Sequence, residues 1–262
     1  ASALQAGYLA LELNDPVQAV AYFTPGNLPA AASATDVEAD AELRYNRFTA
    51  MLRRAALPQT SAAAKKRLQD DAAKGLARTA LDYPASPWGW KSAIRLATHY
   101  RESKQPSLAL AVIAEGLARL QSAEGHQELL LLRGGVLSDM GDHAAAQDAF
   151  REALLVEQSG PQARRLRARA LIELARSYRR LNNPREALAS YGRVYATYPG
   201  ETTEADRARF EAAAYLRELG RAQEALPILR AANDANEARL LIREIQKDAA
   251  AAGSHEEALL FR

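Results

Sequence analysis

Bulky apolar residues recur three and four positions apart along this chain, in runs separated by short polar turns, which is the spacing of one face of an α-helix. In ALIELARSYRRL at 170–181 the period places Leu171, Leu174 and Tyr178 on one face, and ELLLLRGGVLSDM at 128–140 repeats the arrangement. Ala187, Tyr191 and Val194 form the matching face of the run that follows the first of these. Between such runs stand similar turns, each leading into an Ala-containing helix. They are LNDPVQAVAYF at 13–23, SKQPSLALAVI at 103–113, MGDHAAAQDAF at 140–150, LNNPREALASY at 181–191, LGRAQEALPIL at 219–229 and AGSHEEALLF at 252–261. The small packing residue after each turn is Ala19, Ala109, Ala146, Ala187, Ala225 and Ala258, at intervals of 90, 37, 41, 38 and 33 residues. The first interval leaves room for one further unit around Ala72. Pro16, Pro106 and Pro184 fall in the first turn of the second helix, where a missing N–H costs nothing and φ is already helical. Gly141 and Gly220 end the first helix of their pairs. The pattern predicts an all-α chain of tandem helical hairpins.

Unit by unit, this pattern resembles the tetratricopeptide repeat (TPR) superfamily. Gly134, Leu137, Gly141, Ala146, Phe150 and Ala153 match its positions in one unit, and Leu171, Leu174, Ala175, Tyr178, Ala187, Tyr191 and Pro199 in the next. Ala93, Leu96, Ala97, Tyr100 and Ala109 support the unit before, and Ala213, Leu216, Gly220 and Ala225 the unit after. The resemblance implies one solenoid over 1–262 of about seven helix pairs, a right-handed alpha-alpha superhelix with the first helices lining its concave face. Residues 36–83 are expected to be a divergent repeat or insertion, with longer helices around 39–57 and 62–83 joined by LPQTS. The last repeat is expected to be incomplete, with the array continuing beyond it. The subgroup of this family that clamps a peptide C-terminus uses Lys and Asn where this chain has Leu131 and Gly135, so recognition of a free terminus is not implied.

Composition narrows the chemistry. With 48% hydrophobic residues but only 6% aromatic, the core is built largely from Ala and Leu, which suits closely approaching helices. Zero Cys excludes disulfides, thiolate metal sites and a cysteine nucleophile, and four scattered His leave little for a histidine-based metal centre, so no metal and no cofactor are expected. The acidic run Asp36, Glu38, Asp40 and Glu42 reads as a helix start favoured by the dipole, because it lacks the Gly and terminal Glu of a calcium loop. Ser254-His255-Glu256, His126 and His143 sit in turns or helix starts without a nucleophile beside them, so a non-enzymatic chain is expected. No apolar run reaches the length of a transmembrane helix, and the start ASALQAGYLA looks processed or excised. The absence of thiols suits either compartment, and the expectation leans to the periplasm over the cytoplasm.

The total charge of +2 hides a local concentration. Between Arg164 and Arg185 eight Arg stand against Glu173 alone, a net of +7. The family register puts Arg169, Arg176, Arg179 and Arg180 at or beside concave positions, continued by Arg207, Arg217, Arg243 and Lys247. These eight form the candidate partner-binding groove, suited to carboxylates or phosphates, and the bland alternative is a solvated helix face with local partners. Trp88 and Trp90 are candidate aromatic anchors, although closing a helix start is their ordinary role. The expected function is a protein-protein interaction scaffold that binds a protein segment, acidic in character, in this groove. The alternative is a periplasmic module of a bacterial exopolysaccharide synthesis or export system, meeting an acidic polysaccharide or a polysaccharide-modifying enzyme. Nucleic acid is not expected, since no base-stacking motif is interleaved with the Arg run.

Overall fold

The computed structural model describes residues 3–24, 37–119 and 122–260, with side chains between residues 5 and 247 of those spans. Asp36, and the side chains of Ser254, His255, Glu256 and Ala258, lie outside the described residues. The fold is all-α and of the right-handed alpha-alpha superhelix class of tandem hairpins. Two compact units divide the chain, Ala1–Met140 and Gly141–Arg262. The first holds α1 (Ala3–Glu12), α2 (Pro16–Tyr22), α3 (Val37–Ala55), α4 (Ala62–Asp82), α5 (Pro87–Glu102), α6 (Pro106–Arg119) and α7 (Ala123–Asp139). The second holds α8 (His143–Leu155), α9 (Pro161–Arg180), α10 (Pro184–Thr197), α11 (Thr202–Glu218), α12 (Ala222–Arg230) and α13 (Ala235–Leu260).

The turns share one backbone conformation. Asn14, Lys104 and Asn182 have φ of 56°, 58° and 52°, and Gly141 and Gly220 have 85° and 73°. A left-handed residue there lets the next N–H reach back over the last helical turn. Asp15, Gln105, Asn183 and Arg221 donate in this way to the carbonyls of Ala10, Tyr100, Tyr178 and Leu216 at 2.8–2.9 Å. Two of the following helices are then capped by an Asp side chain. Asp15 accepts from the N–H groups of Val17 and Gln18 at 3.1 and 3.0 Å, and Asp142 accepts from that of Ala145 at 3.0 Å.

One residue pair carries the packing from repeat to repeat. Ala19 and Phe23, Ala72 and Leu76, Ala109 and Ile113, Ala146 and Phe150, Ala187 and Tyr191, and Ala225 and Leu229 are all fully buried. A methyl followed four residues later by a large side chain lets the second helix approach its neighbours and then fill the gap. Ala72 keeps this register within α4, and α3 and α4, of 19 and 21 residues, are joined by an LPQTS turn with no left-handed residue. Gly75 in α4 takes the ring of Phe48 against its backbone, where a Cβ would meet ring carbons at 2.2 Å. At the other end the turn expected at 252–254 is not formed, because α13 runs as one helix through it.

The acidic start of α3 does more than complement a helix dipole. Glu38 accepts from the Ser86 hydroxyl at 2.7 Å, Asp40 from Tyr83, and Glu42 from Tyr8. Burial, followed by the bond to Glu42, pushes the Tyr8 phenol up to about 12. These carboxylates tie hydroxyls from the hairpins on either side into the first unit.

Candidate partner-binding site

Within the second unit, α9, α11 and α13 are the first helices, and the predicted cations stand on these three. The structure engages half of them with carboxylates. Arg176 holds Glu211 through two nitrogens, with Nε at 2.9 Å, and also holds Glu173 at 2.6 Å. Tyr191, from the buried pair of α10, donates to the same Glu211 at 3.0 Å. Hydrogen bonding to Glu211 holds the Arg176 guanidinium firmly charged, against the effect of its partial burial, while burial and the Glu211 charge push the Tyr191 phenol well up. Arg179 pairs with Glu218 and lies 5.1 Å from the centre of the Tyr215 ring. Arg217 pairs with Glu244 at 2.9 Å, and Arg207 leans on Glu211 at 3.9 Å. Arg169 and Arg180 are exposed on α9, with no carboxylate against them among the described residues. Arg243 and Lys247 are exposed on α13 and do not line either cleft described below.

The rest of the Arg-rich run is largely engaged in the same way. Arg164 and Arg165 reach Glu201 at 3.4 and 3.8 Å, and Arg167 donates to the carbonyls of Val156 and Gln158 at 3.1 and 2.9 Å. The net charge counted over 164–185 is therefore partly offset by three acids that lie one repeat downstream, Glu201, Glu211 and Glu218. Each such pair is partly exposed and, discounted for solvent, contributes about 0.5 kcal/mol. Their collective effect is to hold first helix to first helix rather than to offer a continuous basic stripe.

Beside α11 the face opens. A cleft of about 530 Å³ is lined by Thr202, Asp206, Arg207, Phe210, Asp234 and Glu237 among others. A second, of about 450 Å³, is lined by Ala213, Ala214, Arg217, Glu218, Leu241 and Ile245. On α11 and on α13 the lining positions recur every three or four residues, so both clefts follow one seam between the two helices. The entry to α13 is fixed by Asp206, whose side chain is 10% exposed. It accepts from Arg209 at 2.8 Å, from the Asn233 N–H and side-chain amide at 3.0 and 3.1 Å, and from the Asp234 N–H at 2.7 Å. Burial alone would raise the Asp206 pKa, but these donors outweigh it and hold the carboxyl below its usual range.

The two Trp residues part company in the first unit. Trp90 is 6% exposed and packs with Ala93, Ala97 and Leu129, with its ring against Gly125 of α7, so it has no face to offer as an anchor. Trp88 is half-buried against Tyr45, ring centres 5.3 Å apart, with the Lys91 ammonium 4.4 Å above it. His126 is structural, its ring nitrogens 3.0 and 2.9 Å from the carbonyls of Ser122 and Leu117. Among the described residues no group of three or more His, Asp or Glu is placed to hold a metal, and no helix is long and apolar enough to cross a membrane.

Comparison with known proteins accords with this geometry. Residues 126–200, covering most of α7 and all of α8 to α10, match the tetratricopeptide repeat family. No curated protein sequence matches the chain. Among solved structures, a Rap protein complexed with Competence and Sporulation Factor is 14% identical, with a TM-score of 0.57, covering 97% of this chain and 70% of its own. A tetratricopeptide repeat protein from Parabacteroides merdae is 15% identical, with a TM-score of 0.55, covering 95% of this chain and 86% of its own. MamA is 18% identical, with a TM-score of 0.48, covering 71% of this chain and 98% of its own. The family match is confined to residues 126–200, and the two solved structures with TM-scores of 0.57 and 0.55 share the fold of tandem helical hairpins.

Proposed function

We propose that this chain is a non-enzymatic scaffold that holds a protein segment against the α9–α11–α13 face of its second unit. The observation that carries the reading is the open seam beside α11, with apolar floor and charged rim, and α9 adds exposed guanidinium groups. An acidic stretch of the partner meets Arg169 and Arg180, which are free to accept it. Arg176, Arg179 and Arg217 are held by Glu211, Glu218 and Glu244, and they position the helices rather than supply the first contact. The test is capture of partners by the chain against its Arg169→Glu/Arg180→Glu variant. The expected result is loss of the specific partner with the fold unchanged, and an unchanged partner set sinks the acidic-partner reading.

A second reading keeps the polymer-handling alternative, a periplasmic export module that meets an acidic glycan. It draws on Trp88, whose partly open ring with Lys91 above it is the one aromatic platform of the two predicted. Saturable binding of acidic polysaccharide that is lost in Trp88→Ala supports this reading, and binding unaffected by that change removes it.

A further inference from the structure

The seam between α11 and α13 has a polarity opposite to the one the arginines suggest. Its carboxylates on α11 are already answered, Asp206 by Arg209, Glu211 by Arg176 and Glu218 by Arg179. Arg217 is answered by Glu244, and Arg207 leans on Glu211. Two carboxylates on α13 remain. Glu237 is exposed with no cation against it. Asp234 caps α13, accepting from the N–H groups of Asn236 and Glu237 at 3.0 and 3.1 Å, and meets no cation either. Arg207 lines this end as well but shares Glu211 with Arg176, so against Asp234 and Glu237 the end is left acidic by one charge, while the other end is floored by Ala213, Ala214, Leu241 and Ile245. The small alanines leave depth where a packed first-helix pair would place larger side chains, and Phe210 stands between the two ends.

We infer that this seam takes a partner segment with aliphatic side chains followed by a lysine or arginine, the aliphatic part over Ala213, Ala214, Leu241 and Ile245 and the cation against Asp234 and Glu237. The inference rests on the scaffold reading and deepens it. The partner segment is bipolar, with acidic residues toward Arg169 and Arg180 and a basic end toward the start of α13. Charge complementarity selects this occupant, because an acidic residue at Glu237 meets repulsion while a basic one meets two unanswered carboxylates.

The test uses two fluorescent 14-residue peptides that share the same acidic stretch and leucine pattern and differ only in the charged residues of their last turn, Lys in one and Glu in the other, titrated against the whole chain by anisotropy. The Lys peptide is expected to bind at least about ten-fold tighter, a preference worth about 1.4 kcal/mol. Glu237→Lys should abolish or reverse that preference. Ala214→Trp, at an exposed position that fills the seam without touching the core, should weaken the Lys peptide by at least about ten-fold, with circular dichroism unchanged. Equal binding of both peptides, preference for the Glu peptide, or indifference to both variants overturns the inference. A natural partner captured through Arg169 and Arg180 while the Lys peptide ignores Glu237 and Ala214 leaves the scaffold reading standing and removes this one.

Discussion

Replacing Asp206 by Asn changes one oxygen for one NH₂ at the place where α11 fixes the entry to α13. Oδ1 accepts three hydrogen bonds and Oδ2 accepts the Asp234 N–H at 2.7 Å. An asparagine can keep its oxygen on the side of the three donors, but its NH₂ then faces the Asp234 N–H, donor to donor. It also leaves Arg209 without a counter-charge in a site where both side chains are about one-tenth exposed. An unsatisfied buried donor costs about 1–3 kcal/mol and a broken buried pair somewhat more, so about 3 kcal/mol is expected for the substitution. If the second unit melts on its own, that lowers its midpoint by roughly 10 °C at pH 7. The pH dependence follows from the direction of the shift. The folded pKa of Asp206 lies below the unfolded value of about 3.9, so its contribution is complete above that value and is lost as pH falls through the folded pKa. Wild type and variant should therefore differ fully at pH 7 and converge as the pH falls below about 3.9. Thermal melts followed by circular dichroism across this range decide the matter. A midpoint within about 2 °C of wild type at pH 7, or a gap that stays constant on acidification, refutes the reasoning.

Three other outcomes follow from the packing and turns. Lys104 occupies the left-handed turn position at φ 58°, so Lys104→Gly should stabilise the first unit by up to about 1 kcal/mol, seen as a higher melting midpoint. Gly75→Ala should destabilise by roughly 2 kcal/mol in urea titrations, because its Cβ would stand 2.2 Å from the Phe48 ring; a neutral result would mean that α3 and α4 move apart freely. Ala187→Leu should cost about 2 kcal/mol, since the site is fully buried beside Tyr191 and has no space for three more carbons.

Most of the fold was legible because its determinants are local and periodic. The turns at Asn14, Lys104, Gly141, Asn182 and Gly220 were marked by polar residues, Pro and Gly, and the buried alanines could be counted from them. Even Ala72, in the unit with unusual helix lengths, kept its register. The apparent turn near Gly253 had the same composition, yet α13 runs through it as one helix. The ion pairs of the predicted cations were not legible in the sequence. A charge count over 164–185 cannot see carboxylates brought alongside by the next hairpin. Those partners did leave a signal, because Arg101 and Asp139, Arg164 and Glu201, Arg176 and Glu211, and Arg179 and Glu218 stand 38, 37, 35 and 39 residues apart, about one repeat each. The same offset links Tyr8 to Glu42 across 34 residues, which explains acids first read only as a helix start. Trp90 was ambiguous for a different reason, since only the glycine at 125, two helices later, reveals the space that receives its ring.

The scaffold claim is tested most directly by mapping where a partner lies. A photo-crosslinking residue placed at Ala214, exposed in the seam of α11, is compared with one at Ala189, exposed on the second helix α10. The account predicts that position 214 yields a discrete adduct with a protein partner and that position 189 yields none. An adduct from position 189 alone, or equal adducts from both, would contradict it.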